Sequence, residues 1–174
     1  MTWQPPTPFA WNYCATCGGK LAPAHDGERE LPWCAACNRF FYDNPVPACC
    51  VFVADGAGRL LFTRRAMEPC LGRWTLPGGF MESGETAMGC ALRELAEETG
   101  LTARGARLIG SSFGGSTLYG CVLVLGLVIE GWEGVPKPGS DASELAFFAR
   151  DERPDVPFHA HRELLAVYDG LNGA

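Results

Sequence analysis

Apolar and polar positions change rhythm along the chain. Residues 14–44 hold few aliphatics and are broken by Cys, Gly and Pro. Beyond Pro45 and Pro47 the pattern becomes regular, so these prolines mark a junction. Residues 48–54 form an apolar, β-branched run that predicts a strand. Asp55-Gly56-Ala57-Gly58 predicts a turn and 59–64 a returning strand, so the two are expected as a hairpin. From 83 to 100, Ala87, Ala91 and Leu95 recur at helical spacing with Met88 and Leu92 beside them. Ser83 or Thr86 suits the start of that helix, and Gly100 suits its left-handed stop. Further strands are expected over 104–110, 118–129 and 144–149, with a closing helix over 159–169. This order predicts an α+β fold, an α/β/α sandwich around a mixed sheet. The expected organisation is an extended tail (1–13), a small ribbon (14–45) and a main domain (46–174).

One uncharged stretch, 108–129, invites comparison with a membrane span. Its continuous apolar part, 118–129, is 12 residues long. A spanning helix needs roughly 20. The Val and Ile content fits a buried strand instead, and no membrane partner is expected.

Charge then narrows the function. Fourteen Lys and Arg face 20 Asp and Glu, for a net charge of −6. A protein built to grip bare phosphate backbone needs a basic surface, so nucleic acid is not the expected partner. A substrate whose phosphates are neutralised by a bound cation remains compatible. Nine cysteines are an odd number, and 1–13 have neither a basic start nor an apolar run. A reducing, cytoplasmic setting is therefore expected, with metal ligation rather than disulfides.

Cys14-Ala-Thr-Cys17 and Cys34-Ala-Ala-Cys37 each offer two thiolates from a tight turn. Two such turns brought together make a closed tetrahedral site that suits structural zinc. The ion would supply folding energy that so small a segment cannot obtain by burial. His25 lies between the pairs but is left out of the ligand set. The remaining cysteines (49, 50, 70, 90 and 121) sit in apolar surroundings and read as small buried hydrophobes. Trp33, Phe40, Phe41 and Tyr42 read as packing residues, because base-stacking grooves come with positive charge.

The densest chemistry is Arg93-Glu94-Leu95-Ala96-Glu97-Glu98-Thr99-Gly100. Glu94, Glu97 and Glu98 fall at i, i+3 and i+4, so a helix puts all three carboxylates on one face. They also lie near the helix C-terminus, where the dipole disfavours anions. A hard divalent cation would offset both penalties, and an all-oxygen set suits Mg²⁺ or Mn²⁺. Arg93 and Glu85 are placed to orient these ligands, and Pro77-Gly78-Gly79 lets backbone approach the ion closely.

Gly79, five residues, Glu85, seven residues and then Arg93 to Leu101 resembles the Nudix box, with seven specified and two aliphatic positions all matching. Together with the cysteine ribbon and the flanking Trp74 to Glu82, the chain is similar to zinc-ribbon Nudix hydrolases of dinucleotides such as ADP-ribose, FAD or NADH. The resemblance implies Mg²⁺-dependent cleavage of a nucleoside diphosphate linked to another moiety. It implies Glu94 and Glu98 as direct ligands, Glu97 as a third or as holder of bound water, and the Gly79 carbonyl as another. It gives Glu85 and Arg93 the shaping of the loop–helix unit. Glu144, outside the box, is the candidate general base, competing with Glu94 or Glu98 acting through bound water.

Arg64 and Arg65 are candidate phosphate contacts, and Phe80, Phe113, Tyr119 and Trp132 candidate stacking rings. NADH pyrophosphatases of the family carry Ser-Gln-Pro-Trp-Pro-Phe-Pro after the box, where this chain has Ser111-Ser112-Phe113-Gly114-Gly115-Ser116. They also carry a longer segment before the ribbon. Both departures favour ADP-ribose or FAD over NADH. Removal of an RNA cap and non-catalytic nucleotide sensing are the competing functions. Nothing in the residues specifies oligomeric state, and a homodimer is compatible with them.

Overall fold

A computed structural model describes residues 11–116 and 119–172. Residues 1–10 of the expected tail lie outside the described residues. The chain divides into two compact units, one of residues up to Pro45 with 115–121 and one of 46–114 with 122 onward.

The first unit contains β1 (Ala22–His25), β2 (Glu30–Cys34) and β3 (Arg39–Phe40), an antiparallel sheet in that order. Asp26 turns the chain between β1 and β2, its carboxylate accepting from Glu28 N–H and Arg29 N–H at 2.9 Å. Its small core is Cys14, Cys34 and Phe41, with the Trp11 ring 5.4 Å from that of Phe41.

The second unit contains β4 (Val46–Phe52), β5 (Leu60–Arg65), β6 (Trp74–Thr75), α1 (Ala87–Thr99), most of β7 (Gly105–Ser116) and β8 (Gly120–Glu130), β9 (Ala142–Phe148) and α2 (His159–Asn172). Two three-stranded sheets form, β4-β8-β7 and β6-β5-β9. β4 runs parallel to β8, whereas β5 is antiparallel to β6 and β9. Alternate residues of β4 serve different cores. Ala48, Cys50 and Phe52 pack with Leu164 and Tyr168 of α2, while Cys49 and Val51 pack with Cys90, Ala91 and Leu95 of α1. A helix on each face explains why β4 reads as an unbroken apolar run. The Phe52 and Tyr168 rings stack 4.9 Å apart.

The expected hairpin over 48–64 needs correction. Its turn forms, with the Asp55 carboxylate accepting from Ala57 N–H and Arg59 N–H at 2.9 Å. Pairing stops at the Ala54–Leu60 bridge and Leu61 N–H donating to Val53 at 2.9 Å. β4 and β5 then enter different sheets, because each finds a longer partner elsewhere. The uncharged stretch is two strands, and among the described residues no helix is long and apolar enough to cross a membrane. β7 extends past the expected 104–110, running on through a Gly- and Ser-rich end to Ser116. β9 carries a bulge, with Arg64 opposite Glu144 and Arg65 opposite Ala142.

Candidate active site

The site is built where the 77–81 loop meets α1. Thr86, not Ser83, caps the helix, its hydroxyl accepting from Gly89 N–H at 3.0 Å. Residues 82–85 form a turn instead, in which Glu82 N–H donates to the Glu85 carboxylate at 2.9 Å. That turn aims Glu85 at Arg93, whose Nε and Nη2 grip both carboxylate oxygens at 2.8 and 3.0 Å. The same guanidinium donates to Glu94 at 2.7 Å, to Glu97 at 3.2 Å and to the Phe80 carbonyl at 2.9 Å. Arg93 therefore fastens loop, turn and helix at one point.

Gly79 sits so close that a Cβ would lie 2.4 Å from Glu94 Oε1. Only glycine leaves the carboxylate its place. Glu98 accepts from Gly78 N–H at 3.2 Å. Glu94 and Glu98 are buried while Glu97 is more open. The three carboxylates do not crowd together. Arg93 draws Glu94 and Glu97, and a backbone N–H holds Glu98, as like-charge repulsion requires.

Burial dominates the electrostatics of this cluster. It pushes the Glu98 carboxyl up to about 8, the Glu94 and Asp141 charges pushing the same way and Gly78 N–H and Arg65 pulling back. Burial also raises Glu94, against the pull of Arg93. Glu85 goes the other way, held down to about 2 by Arg93 and then by the Glu82 N–H. The site thus holds Arg93 paired with both Glu85 and Glu94, beside a buried Glu98 that has only a backbone N–H for a hydrogen-bond donor. Glu94, Glu97, Glu98 and the Gly79 carbonyl, which also accepts from Cys49 N–H at 2.9 Å, are oxygen donors of the kind a hard divalent cation takes, and could hold one if drawn together.

Other expected residues are more dispersed. Glu144 lies exposed on β9, its carboxylate 3.1 Å from Arg64 on β5. Arg64 also donates to the Gly72 carbonyl at 2.9 Å. Arg65 donates to the Pro69 carbonyl at 2.6 Å and lies over the Phe158 ring at 5.4 Å. Phe80, Phe113 and Tyr119 are exposed. Trp132 is committed to packing, donating to the Ala54 carbonyl at 2.7 Å and stacking on Phe147.

Asp141 was not anticipated. It reaches the field of Glu98 because the loop before β9 is fastened to the end of α1. Lys137 N–H donates to the Thr99 carbonyl at 2.8 Å and Gly139 N–H to the Glu98 carbonyl at 3.0 Å. These bonds satisfy carbonyls that a helix end leaves unpaired. The glycine in Gly139-Ser140-Asp141 is the only signal of this approach in the sequence.

In the first unit the four expected thiols converge, with ligand sulfurs all within 4.8 Å of one another. Cys14 and Cys37 sulfurs are 3.8 Å apart and those of Cys17 and Cys34 3.6 Å. A tetrahedral ion with bonds of about 2.3 Å to thiolate separates its sulfurs by about 3.8 Å, so the group fits such an ion. Gly18 and Asn38, each just after a pair, have positive φ of 71° and 49° and make the two turns alike. Of the other cysteines, 49, 50 and 90 are buried as expected, whereas Cys70 and Cys121 are only partly so. Cys70 sits in a left-handed turn, φ 67°.

Residues 44–166 match the NUDIX domain family. The ADP-ribose pyrophosphatase of Methanocaldococcus jannaschii is 33% identical over 117 residues, covering 67% of this chain and 69% of that protein. The NAD-capped RNA hydrolase NudC of Pseudomonas aeruginosa is 31% identical over 159 residues, 90% of this chain and 55% of NudC. The chain thus spans about half the length of that relative. The crystal structure of a NUDIX hydrolase from Nitrosomonas europaea shares the fold, with TM-score 0.69 at 24% identity and 94% coverage of both chains. The family match covers most of the chain and contains the whole Glu85–Arg93–Glu98 constellation, so this protein belongs to the Nudix family.

Proposed function

We propose that the chain is a Mg²⁺- or Mn²⁺-dependent pyrophosphohydrolase that cleaves the diphosphate of a nucleoside diphosphate joined to another moiety, with ADP-ribose or FAD the favoured substrate. The observation that carries this is the pair of buried, electron-rich carboxylates, Glu94 and Glu98, held beside a glycine loop by the Arg93–Glu85 pair. When bound, the divalent cation neutralises the diphosphate and acidifies water. The chain's own work is positioning. Glu94 and Glu98 would fix the cation side, Gly79 leaves room for the Glu94 carboxylate, and Arg64 and Arg65 are the proposed phosphate contacts. Phe80 is the proposed stacking platform at the loop. The ADP-ribose pyrophosphatase relative supports this substrate class.

The second reading is hydrolysis of NADH or an NAD-type RNA cap. It is favoured by one specific observation, that the likeness to NudC extends over 90% of the chain.

A substrate panel separates the readings. Purified full chain is incubated with ADP-ribose, FAD, NADH and NAD-capped RNA, each with Mg²⁺ and with EDTA, and products are resolved by chromatography. Mg²⁺-dependent release of AMP, fastest from ADP-ribose or FAD, is expected. Preference for the capped RNA would replace the first reading with the second, and no turnover of any would leave a nucleotide-binding module. Glu144 is the proposed general base, and Asp141 enters beside it because its charge reaches Glu98. Of Glu144→Gln and Asp141→Asn, the variant that removes the base should lose kcat by about 100-fold or more with little change in KM, while the other keeps most of its rate.

We also infer that Cys14, Cys17, Cys34 and Cys37 hold one structural zinc, in a chain that works in a reducing compartment. Elemental analysis should give one zinc per chain. Cys34→Ser should lower that ratio well below one and abolish the near-ultraviolet dichroism contributed by Trp11 and Trp33. Retention of stoichiometric zinc in Cys34→Ser would exclude the tetrathiolate site.

A further inference from the structure

Two thiols that the proposed reaction does not use lie beneath its loop. Cys49 on β4 and Cys90 in the first turn of α1 are 2% and 0% exposed. Their sulfurs are 3.1 Å apart, closer than the two ribbon pairs at 3.6 and 3.8 Å. A disulfide bond of about 2.05 Å needs a closure of only about 1 Å. Both residues belong to one core cluster with Val51, Ala91 and Leu95, so the pair is held in register by packing. Cys50 points into the other core and cannot substitute.

The pair also touches the site. Cys90 Sγ lies 3.9 Å from the Gly79 carbonyl and 3.7 Å from Arg93 Nη2. Cys49 N–H donates to that same carbonyl at 2.9 Å. Strand, helix and loop therefore meet at these two sulfurs.

We propose that Cys49 and Cys90 form a reversible oxidation site, converted by a peroxide to an intramolecular disulfide that slows hydrolysis. One sulfur attacks the peroxide O–O bond, becoming a sulfenic acid while the other oxygen leaves as water. The second sulfur then attacks the sulfenic sulfur, the S–S bond forms and the sulfenic oxygen leaves as a second water. The two thiol protons depart in these waters, and the two electrons given up by sulfur reduce the peroxide. Closure shifts the sulfur contacts that Cys90 makes with the Gly79 carbonyl and Arg93, and with them the loop–helix junction that carries Glu94. Burial makes the oxidation slow, and a dithiol reductant reverses it.

The effect on turnover rests on the hydrolase reading, but the bond itself does not. Full-length protein is treated with hydrogen peroxide, free thiols are blocked, and proteolytic peptides are mass-mapped. A peptide pair joined through Cys49 and Cys90, lighter by two hydrogens, is expected, which also separates this bond from oxidation of the ribbon. ADP-ribose hydrolysis should fall by about tenfold or more, within the 100-fold that a 1 Å misplacement can cost, and return with dithiothreitol. Cys49→Ala and Cys90→Ala should keep their rates after peroxide, while Cys50→Ala should still lose activity. Absence of the joined peptides in wild type would overturn the proposal, as would equal peroxide sensitivity in Cys49→Ala. If an alanine variant does not fold, the wild-type peptide map decides. A joined pair in a chain that hydrolyses nothing would uphold the site and reject the hydrolase reading.

Discussion

Replacing Glu98 by Gln should abolish turnover while making the metal-free protein more stable at alkaline pH. The loss follows from removing a buried negative charge from the cation side of the site. Metal-assisted hydrolysis draws several kcal/mol from that charge, so a fall of at least about 100-fold is expected. The gain in stability follows from the raised carboxyl. Its value is about 8 in the folded chain against 4.5 for the free group, mainly because of burial. Below 4.5 both states are protonated and burial costs nothing through this group. As pH rises toward about 8 the unfolded chain ionises while the folded group keeps its proton. The folded state then binds more protons, and its stability falls with pH, by up to about 1.4 kcal/mol per unit. Glu98→Gln keeps an acceptor for Gly78 N–H and has no proton to lose. Chelated wild type and variant, unfolded in urea at pH 5, 6, 7 and 8, should diverge in that direction, and Mg²⁺ should narrow the gap by stabilising wild type alone. Parallel stability curves would overturn the raised carboxyl, and near-normal turnover in the variant would remove Glu98 from the cation site.

Arg93→Ala should be among the most destabilising single changes in the chain. Five hydrogen bonds to oxygen and a weaker one to the Cys90 sulfur disappear, and Glu85 and Glu94 are left as poorly solvated anions. Breaking a pair of this kind typically costs about 3–5 kcal/mol, and with the Arg93 side chain 23% exposed the lower part of that range applies. Arg93→Lys keeps the charge but not the fork, so it should fold better than the alanine variant yet lose kcat with little change in KM. Equilibrium unfolding with steady-state kinetics checks both. In Glu85→Gln/Arg93→Ala, the second loss should be much smaller than the first, because the two act as one unit. Full additivity would mean that they do not.

Helix α1 was legible because two local signals agree there. Ala87, Ala91 and Leu95 trace one stripe, and Gly100 stops it with φ 68°. The start was less so, since Ser83 and Thr86 are equally good capping residues. Thr86 prevails because 82–85 are needed as the turn that points Glu85 at Arg93. The helical carboxylates and the four ribbon cysteines were likewise readable, as each depends on short spacings. Partition of the strands was not. A turn motif announces a reversal but says nothing of the parallel partner that β4 finds in β8. Asp141 was hidden for a related reason, its nearness to Glu98 resting on amides of 137 and 139 meeting the end of a helix far back in the chain.

The irregularity where Arg65 faces Ala142 has a consequence for how this architecture can diverge. A strand alternates its faces, so a residue gained or lost between Gly139 and Glu144 that the bulge did not absorb would interchange inward and outward neighbours along β9. Selection can exchange the acids on that segment for other residues with ease. It can move them along the thread only by re-sewing the whole edge of the sheet.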